Sequence, residues 1–223
     1  TSKEKIMNNT EIMRPFGPSL LKSKMSENLL EMLIKKTDGI LNDPVLSEKY
    51  DWSNHLAGNV QKEVRFENNW LTTPEAAPFA NYITQQTDLY LNDRHVNAFF
   101  DNTVQKENKK HPFEKINLSA AWMVSQWNGD FNPIHMHDGY LSGVCYLKMP
   151  DMNPEIENED HTRTCANIAF IFGSPNHMSL HQYIVLPEPG DFFLFPSWLM
   201  HTVYPFRTPD TERRSVSFNL YLE

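Results

Sequence analysis

The sequence predicts a mainly β fold of the α+β class: a sandwich, jelly roll or barrel, preceded by flanking helices. Three observations point there. From about residue 116 the chain becomes a series of short apolar and aromatic runs divided by turn residues, about seven in all, which is the pattern of an all-β core. Before that point, two stretches carry the 3.6-residue period of amphipathic helices. Aromatic residues make up 12% of the chain and Pro outnumbers Gly by 15 to 8, which suits short strands and irregular loops better than a helical bundle. A chain of 223 residues accommodates one sizeable domain. We therefore expect a single domain over 1–223, with a helical support region at 1–115 and the β core at 116–223.

The elements follow in order. Residues 11–18 read as a short strand ended by Pro and Gly. Ser26 is a candidate N-cap for a helix to about Thr37, with Leu29, Leu30, Leu33 and Ile34 on one face and Gly39 as its stop. Residues 43–73 read as irregular. A second helix begins after Pro78, and Phe79, Tyr82, Ile83, Gln86, Leu89, Val96 and Phe100 follow its period. Lys106 to Lys110 read as its solvated end. The strands come next: Ile116 to Trp127, closed by Asn128-Gly129-Asp130, and Leu141 to Met149, closed by Pro150. Ala166 to Phe172, Gln182 to Leu186, Phe192 to Phe195, Met200 to Tyr204 and Ser215 to Leu220 complete the set. Residues 151–160 hold Asp151, Glu155, Glu157, Glu159 and Asp160 and read as an exposed loop.

Charge and composition exclude several roles. The formal net charge of -8 argues against nucleic acid as the main partner, because phosphate binding needs clustered Lys and Arg. No apolar run approaches the length of a membrane span, so no membrane role is expected. Cys145 and Cys165 sit in apolar runs and read as buried free thiols of a reducing compartment. The N-terminus is polar and shows no signal region. The expected location is the cytoplasm.

The chemistry gathers around Asn132-Pro133-Ile134-His135-Met136-His137-Asp138. Histidines at i and i+2 in extended chain point to one side, so both imidazoles can reach one metal ion. A third ligand must come from elsewhere, and His201 is the natural candidate. Further on, Arg213, Ser215, Ser217 and Asn219 alternate with Arg214, Val216, Phe218 and Leu220. A polar face with an Arg inside a β core needs an anion, and a carboxylate ligand would pair with the guanidinium bidentately. The plainer alternatives are a chance His-x-His among nine histidines and a surface Arg213 paired with Glu212. The order of the features, His-x-His, a distal His, then Arg, favours a site over either.

With these residues in view, the chain resembles the 2-oxoglutarate- and Fe(II)-dependent oxygenases. The resemblance rests on HMHDGYLSGVCYL, GDFFLFPSWLMHTVYPF and RRSVSFN, spans about 116–223, and extends more weakly to LAGNV at 56–60. It is narrower toward a branch with His-x-His, a distal His and an RxSxSFN strand. It implies a double-stranded β-helix, or jelly roll, with Fe(II) at one mouth chelated by 2-oxoglutarate. His135, His137 and His201 become the metal-ligand and catalytic candidates. Arg213 would bind the distal carboxylate of 2-oxoglutarate with Ser215 assisting, and Asn219 and Tyr146 join the cofactor-binding candidates. Trp122, Gln126, Tyr140 and Trp198 could line the pocket or simply pack in the core.

One departure from the superfamily matters. Its usual site is two histidines and one carboxylate, but the carboxylate position here is His137. Asp138 is next door, on what strand geometry makes the opposite face. Three options stay open: all three histidines bind, only His201 and one of the pair bind, or a kink brings Asp138 in. The three-histidine set is the expectation carried forward.

The resemblance implies a dioxygenase, a hydroxylase of a peptidyl prolyl or other residue or of a small molecule, using 2-oxoglutarate and dioxygen. Two rivals differ in class. A cupin-like metalloenzyme without 2-oxoglutarate would not need Arg213. A non-catalytic jelly-roll binding or structural module with a vestigial site would hold no iron. The helices before residue 116 could frame the substrate entrance or a homodimer interface.

Overall fold

The computed structural model describes residues 10–13, 17–53, 58–67, 70–97, 111–157 and 164–223. Its elements in chain order are β1 (Glu11–Met13), β2 (Leu20–Lys24), α1 (Glu27–Leu41), α2 (Pro44–Lys49), β3 (Lys62–Arg65), a 3-10 turn at Trp70–Thr72, α3 (Ala77–Asn92) and α4 (Arg94–Asn97). The strands β4 (Ile116–Gln126), β5 (Asn132–His135), β6 (Leu141–Lys148), β7 (Ile168–Ile171), β8 (Gln182–Val185), β9 (Asp191–Pro196), β10 (Met200–Val203) and β11 (Arg213–Leu222) follow. All the strands expected after residue 116 are present, with ends moved by up to two residues.

The N-terminal half departs more from expectation. Ser26 caps α1 as its position predicts, its Oγ accepting the Leu29 N–H. Gly39 does not stop the helix, which runs on to Leu41 and buries Ile40 in the core. Burying that side chain outweighs the roughly 1 kcal/mol cost of a helical glycine. The described residues between 43 and 73 are not all irregular. Asp43 accepts the Val45 and Leu46 N–H groups and starts α2, with Pro44 in its first turn. β3 then joins the sheet. The long period after Pro78 is two helices, because Asp93 turns extended and its Oδ1 accepts from His95 and Val96 to start α4. Phe100, Lys106 to Lys110, and Ala57 with Leu56 of the LAGNV segment lie outside the described residues.

Two antiparallel sheets form the core. The larger runs β1-β2-β9-β6-β11-β4-β3 and the smaller β5-β10-β7-β8. The half expected to be helical therefore supplies three strands of the larger sheet. The alternation along each strand sorts the side chains. Cys145, Phe192, Val216 and Phe218 point back into a cluster with Leu29 and Leu33 of α1 and Phe79 and Ile83 of α3. Val144, Tyr146, Phe193 and Phe195 point forward to Ile168 and Phe170 of the smaller sheet. The helices thus close the rear of the larger sheet and leave its front to face the smaller one.

Two glycines are fixed by geometry. Gly139 has φ +98, and a Cβ there would sit 2.8 Å from the Leu220 carbonyl oxygen. It turns the chain sharply after the histidine pair. At Gly143 in β6 a Cβ would collide with the Phe218 ring, so the strand admits no side chain.

Cys145 and Cys165 are free and buried, as expected. The acidic loop is not uniformly exposed. Glu157 is buried and accepts the Arg207 and Thr208 N–H groups and the Thr208 hydroxyl, tying the loop to the chain before β11. Glu159 and Asp160 lie outside the described residues. No helix among the described residues is long and apolar enough to cross a membrane.

Candidate active site

A cavity of about 500 Å³ opens between the sheets, lined by His135, His137 and His201 and by Arg213, Ser215, Ser217 and Asn219. His135 ends β5 and His201 sits in β10, where their Cα positions are direct partners. His137 lies just past the end of β5, its backbone N–H donating to the Ser197 carbonyl at 2.9 Å. One ligand atom from each of the three rings lies within 4.8 Å of the others. The ring centroids are 4.2 Å apart for His135 and His201, and 4.9 and 5.0 Å from His137 to each.

The backbone chooses the tautomers of two rings. His135 Nδ1 lies 2.7 Å from the Pro133 carbonyl, and His201 Nδ1 3.0 Å from the Leu199 carbonyl. A carbonyl can only accept, so Nδ1 carries the proton in each ring. That leaves both Nε2 lone pairs free for a metal. Burial pushes the His135 pKa below its usual value, against the pull of the Pro133 carbonyl. Burial and the His135 ring bring His137 down to about 4. Burial, with both neighbouring rings, holds His201 well below its usual value. All three are neutral at pH 7, which is the ligating form.

The opposite wall is a polar stripe on the larger sheet. Arg213, Ser215, Ser217 and Asn219 of β11 pair with Gln126, Val124, Trp122 and Ala120 of β4, and all eight line the cavity. Arg213 is 2% exposed. Its Nη1 donates to Gln126 Oε1, and its guanidinium lies 4.8 Å from the Tyr146 ring centroid. Its Nε and Nη2 have no hydrogen-bond partner among the described residues, and neither do Tyr146 Oη and Gln126 Nε2. Burial pushes the Tyr146 phenol up to about 12, against the pull of Arg213, so it is a neutral donor. No carboxylate of a described residue pairs with Arg213. Glu212, its plainer expected partner, is taken by Arg214, at 2.6 Å from Nε.

Residues 120–219 match the sequence profile of a family described as "Putative 2OG-Fe(II) oxygenase". Over that stretch the chain is similar to the 2OG-Fe(II) oxygenases. Comparison with curated protein sequences gives no match. Among solved structures, the chain is similar to a prolyl-4-hydroxylase of Pseudomonas putida, with TM-score 0.53 and 11% identity over 97% of this chain and 94% of that one. It is similar to the viral collagen prolyl hydroxylase of Paramecium Bursaria Chlorella virus-1, solved as a 2OG complex, with TM-score 0.50 and 13% identity over 98% of each chain. AviO1 of Streptomyces viridochromogenes Tue57 matches with TM-score 0.51 and 10% identity, over 90% of this chain and 89% of that one. These likenesses establish the jelly-roll fold.

The cofactors of the matched family, Fe(II) and 2-oxoglutarate, fit this cavity on its own chemistry. Three neutral imidazoles converge on one point. An unpaired, buried guanidinium with an idle phenol and amide beside it asks for an anion with several acceptor oxygens.

The candidate residues do not all reach the cavity. Ser215 and Tyr146 are buried in its wall, and Asn219 lines it while accepting from Ser142 Oγ at 2.8 Å. Trp122 and Gln126 line it too. Tyr140 and Trp198 do not, and both are 51% exposed. They follow the Gly139 turn and the end of β9, where the chain has left the sheet face. Asp138, expected on the opposite face, lines the cavity after all. The strand ends at His135, so strand alternation no longer applies to it. It is not in the three-histidine cluster. Sequence reasoning missed Trp52, Gly58, Glu63 and Arg65, which also line the cavity. The alternation in Lys62-Glu63-Val64-Arg65 was their only signal, and it is too short to stand alone.

Proposed function

We propose that this chain is a 2-oxoglutarate-dependent Fe(II) dioxygenase acting as a hydroxylase, with His135, His137 and His201 as the metal ligands. One observation carries the reading: the buried Arg213, without an acidic partner among the described residues, faces the same cavity as three converging imidazoles. A cupin-like site would need the histidines but not the cation.

When bound, the metal and the oxoacid together supply the oxidation of a substrate C–H bond by dioxygen, with 2-oxoglutarate converted to succinate and carbon dioxide. The protein's part is positioning. The Pro133 and Leu199 carbonyls hold two imidazoles with Nε2 presented. Arg213 takes the distal carboxylate, with the Tyr146 and Ser215 hydroxyls beside it. Gln126 orients the guanidinium through its Oε1. Val144, Ile168, Phe195 and Val203 give the cavity apolar walls that limit water near the reacting centre. The prolyl hydroxylases among the fold's likenesses are in keeping with a peptidyl prolyl or other residue as substrate. The two free thiols fit a reducing compartment such as the cytoplasm. A single domain over 1–223, and a homodimer through the N-terminal helices, are parts of the same reading that limited proteolysis and solution mass would decide.

The test is anaerobic. Protein supplied with Fe(II) and then 2-oxoglutarate should develop the weak visible charge-transfer absorption of the chelate. Arg213→Met should weaken 2-oxoglutarate binding by roughly ten- to hundredfold. No absorption, together with no calorimetric binding, overturns the reading.

A further inference from the structure

The edge strand β3 lies outside the family match at 120–219, yet it furnishes one wall of the cavity. Glu63 and Arg65 stand two residues apart on it, so both face the same way. Their opposite numbers on β4 are Val124 and Trp122, which face the cavity as well.

Glu63 is 3% exposed, and its Oε2 has no hydrogen-bond partner among the described residues. Burial, helped by the like charge of Asp51, pushes its pKa up to about 8. At neutral pH it is a carboxylic acid with a proton to donate. Asp51 itself is held by Lys62.

Arg65 is half-buried, and its guanidinium lies 5.2 Å from the Trp52 ring centroid. No acidic side chain among the described residues forms an ion pair with it, whereas the nearby Lys49 and Lys62 are paired with Glu67 and Asp51. The cavity therefore holds a second cation. On β4, Arg65 stands opposite Trp122 and Arg213 opposite Gln126. Those positions are four residues apart along β4, about 13 Å. The two arginines therefore rise from well-separated places on the wall, Arg213 beside Gln126 and Arg65 beside Trp122. The Trp122 ring lies 5.5 Å from that of His137, so the stretch of wall beside Arg65 borders the histidine cluster.

We propose that Glu63, Arg65 and Trp52 form the primary-substrate subsite, and that the substrate carries a carboxylate for Arg65 and a neighbouring carbonyl or hydroxyl oxygen for Glu63. The proposal rests on the dioxygenase reading and adds the class of substrate to it. The two groups on the strand are about 7 Å apart, so one short substrate can meet both. The carboxylate can belong to a small organic acid, to a peptide C-terminus or to an acidic side chain.

The experiment uses the Fe(II)- and 2-oxoglutarate-loaded protein under anaerobic conditions, with calorimetry and the charge-transfer absorption as readouts. The probes are N-acetyl amino acids with free carboxylates, their C-terminal amides, and peptide amides with or without one Asp or Glu side chain. Carboxylate-bearing probes should bind and perturb the absorption while their neutral counterparts bind at least tenfold more weakly. Which arm binds tells a terminal carboxylate from a side-chain one. Arg65→Gln should cost the binding probe roughly ten- to hundredfold, and Glu63→Gln less, while 2-oxoglutarate binding stays unchanged in both. If the absorption forms but no carboxylate probe outbinds its neutral match, or if Arg65→Gln binds as well as the parent, the substrate class is wrong and the dioxygenase reading survives. If the absorption never forms, both fall together.

Discussion

At the scale of single residues, the site separates groups that look alike in the sequence. His137 and Asp138 are neighbours, and both reach the cavity, but only His137 joins the cluster of ligand atoms. His137→Ala should therefore lower Fe(II) affinity by more than the roughly 10- to 100-fold that loss of a supporting group costs, while Asp138→Asn leaves it within a few-fold. Calorimetric Fe(II) titration of the two variants checks this, and equal losses would bring the aspartate into the ligand set. Arg213 and Arg214 are neighbours as well, with opposite assignments. Arg214 is spent on structure: it pairs with Glu212 at 2.6 Å and Asp38 at 2.5 Å, and donates to Thr37 Oγ1 at 3.0 Å. It thereby fastens α1 to β11 directly behind the cavity wall. Arg214→Met should lower thermal stability, because Asp38 and Glu212 are then left to share the single cation of Lys148, and calorimetric unfolding measures it. The same change should leave the spectrum of the chelate in place.

At the scale of elements, the strands carry the site by alternation, and the alternation can be tested at its tightest point. Gly143 is where β6 crosses the Phe218 ring. Gly143→Ala should destabilise by about 1–3 kcal/mol through overpacking, read as a lowered denaturation midpoint with an unchanged slope. Gly39→Ala, where a Cβ meets nothing within 4 Å, should stabilise α1 slightly in the same assay. The contrast also explains what was legible beforehand. β4, β6 and β9 are mainly apolar runs with turn residues at their ends, so their positions followed directly from the sequence. The face of β11 followed from Arg213, Ser215, Ser217 and Asn219 at every second place. β2 and β3 were not legible, because four or five residues of mixed character acquire strand geometry only by pairing with β9 and β4. With β3 went Glu63 and Arg65. Asp138 was misplaced for the reverse reason, since a strand rule was extended past the last residue of the strand.

At the scale of the whole molecule, the buried groups set how stability responds to acid and to ligands. Glu63 has a folded pKa of about 8 against an ordinary value of 4.5. Between those values the folded protein keeps a proton that the unfolded chain has released, so this group's contribution declines as pH rises through the window. The three histidines act in the opposite sense: their values lie below the ordinary 6.5, so their contribution grows as pH rises toward 6.5, levels off above it, and is lost on acidification. Comparison with Glu63→Gln isolates the carboxyl. The parent's melting temperature relative to the variant's should fall steadily from about pH 5 to about pH 8.5. A constant difference would mean Glu63 is already ionised at neutral pH. Ligands should move the same melting curve. Fe(II) with 2-oxoglutarate at a hundred times its dissociation constant should add about 2.7 kcal/mol, and a chelator should remove it.

The smaller sheet gives one of its edges to the site. β5 has four residues and one neighbour, β10, with a register shift just beyond the His135–His201 pair. On its own this is a weak hem: a short strand, tied on one side, with an irregular stitch. A metal held by both histidines would fasten the hem at that stitch. Amide protons of β5 and the Gly139 turn should then exchange with solvent much faster in chelator-treated protein than in iron-loaded protein, while those of β6 and β11 hardly change. Iron supply would then decide the order of the cavity rim as well as the chemistry inside it.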